Sequence, residues 1–561
     1  MFDTAKLTEL IAQGETLEIE FKSDRRAFSD KLIYEEIVAL ANTRGGVLLI
    51  GVENDGTVSG STPRHGTATD AIKLQSAIFN NTIPSINTRV SIIPHPNGNV
   101  IAVEVDSYPE PCATATGKSL RRTIGPDGKP QTVPFYPRDQ RSRRTDLGLL
   151  DFTSQVFEDL STDAFDPLEF ERMRRDISRL RGDRSLLELP DEELVKALRL
   201  VESHRGRLVP TIAGLLLLGR ESVLAGVIPT HQVHFQVLDA HANVKVNDAF
   251  RFPLLRTLQE IESRFAARNE EKEILIGMVR LPIPDYSPDG FREAVNNAIL
   301  HRDFTRQDDV YIQMHQDHLQ ITNPGGFPEG VTIDNILVHE PKPRNPRLAE
   351  AFKRIGLIEQ TGRGVDRIFE GQLRYGRPAP DYSRSDLNGV RVVLDGGEPS
   401  LKFAAFVYEE DRPGHPITLD NLIILNALHS ERRVDAERAG LLIQKGPIRA
   451  RGVLENLVER GLIEASGEKK GRVYHLSAAL YRRLGQAEGY VRAHGIAPLR
   501  HEALVMEFVQ AHGRIQREQV MTLCGLTGDQ ASRLLKKMCV NGKLRRLGTP
   551  PRWVYYVSSS K

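Results

Sequence analysis

The sequence has few cysteines, almost no net charge and no long apolar run. Its three cysteines, Cys112, Cys524 and Cys539, are not spaced as metal ligands, which favours a reducing compartment and argues against structural disulfides. No run of about 18 apolar residues exists, so no segment is predicted to span a bilayer. The N-terminus lacks the basic start and apolar centre of a signal peptide. We therefore expect a cytoplasmic protein without a membrane partner.

The sequence also lacks the GxxxxGK[ST] phosphate loop that a helicase motor needs. The nearest match is GLLLLGRE at residues 214–221, which has neither the lysine nor the hydroxyl. Its apolar interior is typical of a protein core, and the stretch Ile212–Leu218 predicts a buried strand or helix. The sequence therefore argues against a helicase.

The length and charge of the chain predict how many domains it has and where an affinity for nucleic acid would come from. A chain of 561 residues is too long for one hydrophobic core and predicts three to five domains. A hydrophobic content of 40% and a charged content of 27% are ordinary for a soluble globular protein. Because the formal net charge is only +1, affinity for nucleic acid has to come from local basic patches.

Residues 1–144 have the pattern of a compact α/β domain. The predicted elements are a helix at Thr4–Gln13, a strand in LEIEFK, a helix at Lys31–Asn42, and strands in VLLIGV and VIAVEV. Residues 145–250 are less regular and form a predicted connecting α/β region, with helical stretches and apolar strands near Leu215 and Val233.

The segment FREAVNNAILHRDF, residues 291–304, carries the first candidate site. Glu293 and Asn297 are four residues apart and share one face of a predicted helix. A carboxylate can polarise a water molecule, and an amide oxygen is a suitable ligand for Mg²⁺. The pair alone also fits an ordinary solvated helix face.

Two glycine-containing segments follow this helix. Alternating strands lead into Asn323-Pro324-Gly325-Gly326, and Gly362-Arg363-Gly364 precedes a helical pattern from Val365 to Gln372. Glycines just before a helix allow backbone N–H groups to approach phosphate. Each segment alone also fits an ordinary turn.

The order and spacing of the three segments resemble the N, G1 and G2 boxes of the gyrase, histidine-kinase and mismatch-repair (GHKL) ATPase superfamily. More closely, EAVNNAILHRDF, NPGGFPEGVT and EQTGRGVDRI resemble the divergent "RecG-like" or Schlafen-associated branch, over about 150 residues within the predicted domain 251–400. The resemblance implies a GHKL (Bergerat) α/β sandwich that binds ATP and Mg²⁺, with slow hydrolysis as an open question.

The same resemblance assigns roles to individual residues. It implies that Glu293 is the general base, that Asn297 binds Mg²⁺, and that a lid runs from about Pro328 to Thr361. The glycines that would shape the nucleotide loops are Gly325, Gly326, Gly362 and Gly364. Asn323 stands where the superfamily has an Asp that accepts from the adenine amino group. An Asn oxygen can also accept, but the change leaves adenine selectivity and turnover open.

GETLEIEFK and ANTRGGVLLIGVENDGTVSG together resemble the Schlafen AlbA-type domain. In nuclease members of that family three acidic residues hold a divalent metal. Two of them correspond here to Glu15 and Glu20, whereas Asn54 occupies the third position beside Glu53 and Asp55. In one interpretation, Asp55 or Glu53 takes the place of the third acidic residue and the domain is a metal-dependent nuclease. In the other, the domain binds nucleic acid without cutting it. We favour the second interpretation.

Candidate phosphate contacts in this domain are Lys22, Arg121 and Arg122, although a solvated surface explains each of them nearly as well.

The last 150 residues form two helix-rich units, 415–483 and 496–561, whose order of helices and hairpin is typical of winged helices. From Leu499 to Lys561 there are 11 Lys and Arg against 4 Asp and Glu. The candidate DNA contacts in these units are Arg449, Arg451, Arg533, Lys536 and Lys537.

We therefore expect an α/β multidomain protein with an N-terminal Schlafen-like domain, a GHKL domain and two C-terminal winged helices. The leading functional hypothesis is a homo-oligomeric regulator, of transcription or of phage defence, in which ATP binding changes contact with nucleic acid, DNA rather than RNA. One alternative is an ATP-licensed nuclease of Schlafen type. Another is a non-catalytic assembly protein.

Overall fold

The computed structural model describes residues 2–125, 128–276, 278–358, 363–397, 399–411, 416–466, 472–485, 501–524, 526–549 and 552–559. Within these residues, no helix combines the length and the apolar composition needed to cross a membrane. Helices and strands alternate along the chain in several separate sheets, so the α/β multidomain class is confirmed.

The N-terminal domain is built on a four-stranded sheet with the strand order β1-β2-β5-β4. Its elements are α1 (Thr4–Gln13), β1 (Ile19–Lys22), α2 (Asp30–Ala41), β2 (Gly45–Ile50), α3 (Ala71–Asn80), β3 (Thr82–Ile83), β4 (Thr88–Ile93), β5 (Val100–Asp106), β6 (Ala113–Thr114), β7 (Leu120–Ile124), β8 (Pro130–Pro134) and α4 (Pro137–Asp146). Strands β1 and β2 are parallel, and the other pairs of this sheet are antiparallel. Separate hydrophobic clusters cover its two faces.

The connecting region holds helices packed under the central sheet. Its elements are α5 (Pro167–Arg179), α6 (Asp191–Ala197), β9 (Val201–His204), β10 (Arg207–Pro210), α7 (Ile212–Leu218), α8 (Glu221–Val227), β11 (Val233–Leu238) and β12 (Val244–Phe250). The predicted strand near Leu215 is wrong, because Leu215 lies in α7. The hydroxyl of Thr211 caps this helix by accepting from Gly214 N at 3.1 Å. The leucines of α7 are buried, as expected of core.

The central domain contains a five-stranded sheet with the order β12-β11-β15-β16-β17. The remaining elements are α9 (Leu254–Ala266), β13 (Glu271–Ile276), β14 (Val279–Pro284), α10 (Pro288–Leu300), β15 (Val310–Met314), β16 (His318–Pro324), α11 (Pro346–Ile355), α12 (Gly364–Leu373), β17 (Gly389–Asp395) and α13 (Leu401–Glu410). Strand β11 is parallel to β15, and the other pairs are antiparallel. The structure therefore does not separate residues 145–250 from the central domain, since β11 and β12 belong to its sheet.

Two further units complete the chain. The first contains α14 (Leu419–Glu431), β18 (Val434–Asp435), α15 (Ala436–Leu442), α16 (Gly446–Glu459), β19 (Ile463–Ser466), β20 (Val473–Leu476) and α17 (Ala478–Arg483). The second contains α18 (His501–His512), α19 (Arg517–Cys524), α20 (Gly528–Val540), β21 (Leu544–Thr549) and β22 (Arg552–Ser558). The first unit shares one continuous hydrophobic core with the central domain, whereas the second has its own.

Candidate functional site

A cavity of about 790 Å³ opens in the central domain between α10, the start of α12 and the sheet. Four residues singled out from the sequence line it: Glu293 and Asn297 on α10, Asn323 on β16, and Gly364 at the start of α12. A volume of this size is usual for a site that holds a small molecule. The fold thus brings together residues that are up to about 70 positions apart in the chain.

Glu293 lies where α10 packs against the start of α12. Its side chain is buried, and this burial raises the pKa of the carboxyl, although Arg292 and Arg367 oppose the effect. A Cβ placed on Gly364 would lie 2.8 Å from Glu293 Oε2 and 3.7 Å from Asn297 Nδ2. The absence of a side chain at Gly364 therefore allows the backbone of the α12 N-terminus to lie directly against both polar groups.

Asn323 offers a hydrogen-bond acceptor within a mostly apolar wall. Its amide nitrogen lies 3.4 Å from His301 O and 3.3 Å from Pro324 O, to both of which it donates. Its side-chain oxygen accepts no hydrogen bond from the residues that the structure describes. Beside it, burial lowers the pKa of His301 to about 4, so that imidazole is neutral at pH 7. This part of the cavity therefore suits a ligand group that donates a hydrogen bond to the Asn323 oxygen, rather than a cation.

Three basic residues that the sequence analysis did not single out also line the cavity: Lys342, Lys353 and Arg363. Lys342 lies in the segment 328–345, which covers the cavity and is called the covering segment below; its ammonium donates to Glu329 O at 2.9 Å. Lys353 lies on α11 and Arg363 directly precedes α12. In the sequence, Lys342 and Lys353 lie within the predicted lid, outside the three boxes, whereas Arg363 lies between the two glycines of the third box.

Gly325 and Gly326 are not among the residues that line this cavity. Gly325 has φ +91°, and a Cβ on it would lie 2.7 Å from Arg344 Nη1. A Cβ on Gly326 would lie 2.6 Å from Asp386 O. Both glycines therefore permit close packing behind Asn323. The predicted nucleotide contact at Gly362 falls outside the described residues.

The predicted metal ligands of the N-terminal domain, Glu15, Glu20 and Asp55, each have partners within the protein. Glu20 is buried in ion pairs with Arg122 and Lys22. Glu15 accepts from Phe21 N at 3.2 Å, and the exposed Asp55 accepts from Thr57 N at 2.8 Å. Among the residues that the structure describes, no three His, Cys, Asp or Glu side chains are grouped closely enough to hold a metal ion together.

The same ion pairs involve Arg122 and Lys22, two of the predicted phosphate contacts. The Arg122 side chain is fully buried, and its guanidinium donates to the backbone oxygens of Thr16 and Leu17 as well as pairing with Glu20. Lys22 pairs with both Glu20 and Glu36, the latter at 3.1 Å. Their charges are used inside the domain, so neither presents a free cation to a phosphate chain on the surface.

Comparison with known families supports the two resemblances. Residues 15–127 match the family model described as "Schlafen, AlbA_2". Residues 307–394 match HATPase_c_4, described as "Putative ATP-dependent DNA helicase recG C-terminal". The chain carries both domains.

Three other comparisons give no information about function. Residues 142–234 match a domain of unknown function, DUF8451. The crystal structure of the DIP2311 protein from Corynebacterium diphtheriae is similar at 21% identity, over 86% of this chain and 98% of that one, with a TM-score of 0.49. No curated protein matches the chain. The HATPase_c_4 match begins after α10, so Asn323 and Gly364 lie inside it and Glu293 and Asn297 lie just before it.

The Schlafen AlbA_2 domain is joined to the HATPase_c_4 domain by a buried polar network at the end of α4. Arg344, at the end of the covering segment, is buried between Asp146 and Asp303, and it donates to Gly326 O at 2.6 Å. Ser142 of α4 donates to the Asp303 carboxylate. Burial raises the pKa of Asp146 to about 6, although Arg344 opposes this. The network connects α4 to the loop that follows Asn323.

The predicted DNA contacts of the C-terminal units lie on helix surfaces. Arg449 and Arg451 are exposed on α16, and Arg533, Lys536 and Lys537 are exposed on α20. Lys537 pairs with Glu502 of α18 at 2.9 Å, and Lys543 pairs with the same carboxylate. These two ammonium groups lower the pKa of Glu502 to about 2. The positive charge of Lys537 is thus partly offset.

Proposed function

We propose that the protein binds Mg–ATP in the cavity of the HATPase_c_4 domain, and that this nucleotide controls how the terminal domains contact nucleic acid, with DNA as the expected partner. The observation that carries the proposal is the convergence of Glu293, Asn297, Asn323 and Gly364 on one cavity. The family matches support the coarser function of an ATPase-like domain joined to a Schlafen AlbA_2 domain.

The side chains of the cavity fit the parts of a nucleotide. The acceptor on Asn323, set among apolar residues, suits a base with an amino group. Lys342, Lys353 and Arg363 supply positive charge for phosphates. The amide oxygen of Asn297 is of the type that Mg²⁺ accepts as a ligand, and Mg²⁺ would reduce the negative charge of the phosphates. Buried Glu293, with its raised pKa, is suited to accept a proton from water.

The covering segment supports coupling to the first C-terminal unit. Gln444 lies between α15 and α16; it donates through Nε2 to Ile333 O and accepts through Oε1 from Leu337 N, both at 2.8 Å. Helix α12, whose first residue lines the cavity, packs against α14 of the same unit. A change in the covering segment or in α12 on nucleotide binding would therefore act directly on the unit that carries Arg449 and Arg451.

The arrangement of the first C-terminal unit supports a winged-helix interpretation. Its order is helix, strand, helix, helix, strand, strand, and β20 lies between β18 and β19 in the sheet. In such a unit the third helix, here α16, is the one that enters a groove of DNA. The exposed Arg449 and Arg451 lie near its N-terminus, where they can reach phosphate or bases.

We further propose that the protein acts in the cytoplasm as a homo-oligomeric regulator of transcription or of phage defence. All three cysteines are free, which suits a reducing compartment.

At the tip of the β13–β14 hairpin, the exposed fraction is 70% for Leu275 and 99% for Met278. Two exposed apolar side chains at one tip support self-association, which light scattering of wild type and a Leu275→Ser, Met278→Ser variant would test.

The nucleotide site is tested by measuring ATP affinity and turnover in three variants. Asn297→Ala should abolish Mg–nucleotide binding, whereas Glu293→Ala should retain binding and lose hydrolysis. Asp289→Ala, on the exposed side of the same helix, is the matched control and should change neither. Equal ATP affinity and turnover in wild type, Asn297→Ala and Glu293→Ala would reject the site. DNA affinity that is the same with and without nucleotide would reject the coupling.

A further inference from the structure

The outer side of α4 carries three exposed arginines, Arg138, Arg141 and Arg144, which are called the arginine row below. They follow each other at intervals of three residues, so consecutive members are neighbours on the helix surface. Helix α4 begins at Pro137, beyond residues 15–127 that match the Schlafen model. The row therefore lies outside the region to which that family match applies.

The positive charge of the arginine row is largely unmatched. Neither Arg141 nor Arg144 forms an ion pair with a residue that the structure describes. Arg138 is 76% exposed and lies 3.8 Å from Asp139, whose carboxylate is also 3.5 Å from Arg121. Because one carboxylate serves two guanidinium groups, the row presents a net positive charge to solvent.

The stability of α4 does not account for the arginine row. Arg144 lies in the last turn, where a cation interacts favourably with the helix dipole, but Arg138 lies in the first turn, where it does not. Like charges at neighbouring positions of a helix surface also repel each other. A polyanion bound along the outer side of α4 would offset both unfavourable effects.

An exposed aromatic ring lies at the N-terminal end of the arginine row. Tyr136 directly precedes α4 and is 56% exposed. The bases of a single strand stack on such rings, whereas the bases of a duplex are stacked on each other inside it. An aromatic ring next to a row of cations therefore favours a single strand over a duplex.

We propose that Tyr136 and the arginine row of α4 bind single-stranded nucleic acid. This inference rests on the proposed function, in which nucleic acid is the partner, and it names the surface of the N-terminal domain that makes the contact. From Arg138 to Arg144 the helix axis rises by about 9 Å, which corresponds to two or three phosphates of one strand at about 3.4 Å each.

The inner side of α4 contacts both ends of the covering segment. Arg143 Nη2 lies 3.7 Å from Glu329 Oε2 near the start of this segment, and Asp146 pairs with Arg344 at its end. A strand on the outer side of α4 and a nucleotide in the covered cavity thus act on the same short helix. Mg–ATP should therefore change the affinity of this surface for nucleic acid.

Fluorescence anisotropy of the full-length protein with a single-stranded DNA oligonucleotide, at several salt concentrations, tests the surface. The double variant Arg141→Gln, Arg144→Gln should bind more weakly, and the slope of log affinity against log salt should fall by about 1.4, since each phosphate contact with a single strand contributes about 0.7. The control, Arg175→Gln with Arg184→Gln, removes an equal charge from two exposed positions of the connecting region and should keep the wild-type slope.

A substitution at Tyr136 tests stacking separately from charge. Tyr136→Ala should weaken binding of the single strand by about 5-fold to 150-fold, the usual effect of losing one stacked base. Tyr136→Phe keeps the ring and should bind like wild type. A duplex of the same sequence should bind equally well to wild type and to Tyr136→Ala. Circular dichroism identifies any variant whose loss of binding comes from unfolding.

Three results would overturn the proposal: no binding of the single strand by wild type, an equal salt slope in wild type and the Arg141→Gln, Arg144→Gln variant, or an equal loss in Tyr136→Ala and Tyr136→Phe. Repeating the titrations with Mg–ATP separates this inference from the proposed function. An affinity that Mg–ATP does not change, together with the expected losses in the variants, would contradict the proposed function and retain the surface. An affinity that Mg–ATP changes, without those losses, would do the reverse.

Discussion

The carboxylate of Glu20 illustrates how burial decides the role of a charged residue. It resembles a nuclease metal ligand in the sequence, yet in the structure it neutralises Arg122 in the domain interior. Both side chains are almost fully removed from solvent. A buried ion pair of this kind contributes little net stability, but removing one partner leaves the other charge uncompensated.

We therefore expect Glu20→Gln to lower the free energy of unfolding by about 3–5 kcal/mol, because Arg122 would stay buried without a counter-charge. Urea denaturation followed by circular dichroism measures this change. Glu9→Gln, an exposed position on α1, should alter stability by less than about 1 kcal/mol. A Glu20→Gln protein as stable as wild type, but with altered metal-dependent cleavage, would show instead that Glu20 serves catalysis.

The pKa of Glu293 predicts the pH dependence of ATP turnover. Burial raises this pKa above the ordinary value of 4.5, and a general base must be ionised to accept a proton. Turnover should thus fall as the pH drops through the raised pKa, and the midpoint of this acid limb should lie above 4.5. The measurement is kcat against pH with saturating ATP. Glu9→Gln, at an exposed position on α1 that does not contribute to this pKa, should leave the limb in place, whereas turnover independent of pH in the acidic range would exclude Glu293 as the base.

At the scale of single elements, the helix α20 carries the clearest test of DNA contact. Lys536 is exposed, whereas Lys537 already pairs with Glu502. Lys536→Glu should weaken DNA binding and reduce the slope of log affinity against log salt by at least about 0.9, the value of one lost phosphate contact. Lys537→Glu should have a smaller effect on binding than Lys536→Glu. Fluorescence anisotropy at several salt concentrations measures both, and an unchanged slope in Lys536→Glu would place the DNA elsewhere.

The sequence predicted elements well where a local signal defined their ends. Helix α1 has the predicted bounds because Asp3 caps its start and Gly14 ends it. The apolar run around Leu215 had no such periodicity, and a short apolar run is compatible with either a strand or a helix. The pairing of β11 with β15, about 75 residues apart, could not be predicted because no local pattern encodes it.

Some residues of the candidate site could likewise be predicted from the sequence, and others could not. Glu293 and Asn297 were predictable because a spacing of four places them on one helix face. Lys342 and Lys353 were not, because only the path of the covering segment and α11 brings them to the cavity. Arg122 was assigned to phosphate from its charge alone, and charge does not reveal whether a side chain is buried.

At the scale of the whole molecule, Gln444 is one contact, besides that between α12 and α14, through which the proposed nucleotide binding would act on the first C-terminal unit. Its φ of 59° lies in the left-handed region, which Asn adopts more readily than Gln. Gln444→Asn thus shortens the side chain without adding backbone strain, and it should break the hydrogen bonds to Ile333 and Leu337.

In wild type, ATP should change DNA affinity by a factor in the usual range for coupled sites, about 5 to 150. In Gln444→Asn this factor should fall towards one, while the affinity for each ligand measured alone stays the same. Anisotropy titrations with and without Mg–ATP measure the factor. Glu437→Gln, exposed on α15, is the control and should keep it. Full coupling in Gln444→Asn would assign the transmission to α12 and α14 instead.

The network around Arg344 limits how the protein can be cut into pieces. The predicted domain boundary at residue 144 falls in the last turn of α4, between Ser142 and Asp146. A fragment that starts after Asp146 would keep Arg344 and lose one of the two carboxylates that neutralise it. An unmatched charge in that position costs several kcal/mol or draws water into the interface. Fragments that start after Asp146 should be poorly soluble, and soluble ones should retain α4 together with the HATPase_c_4 domain.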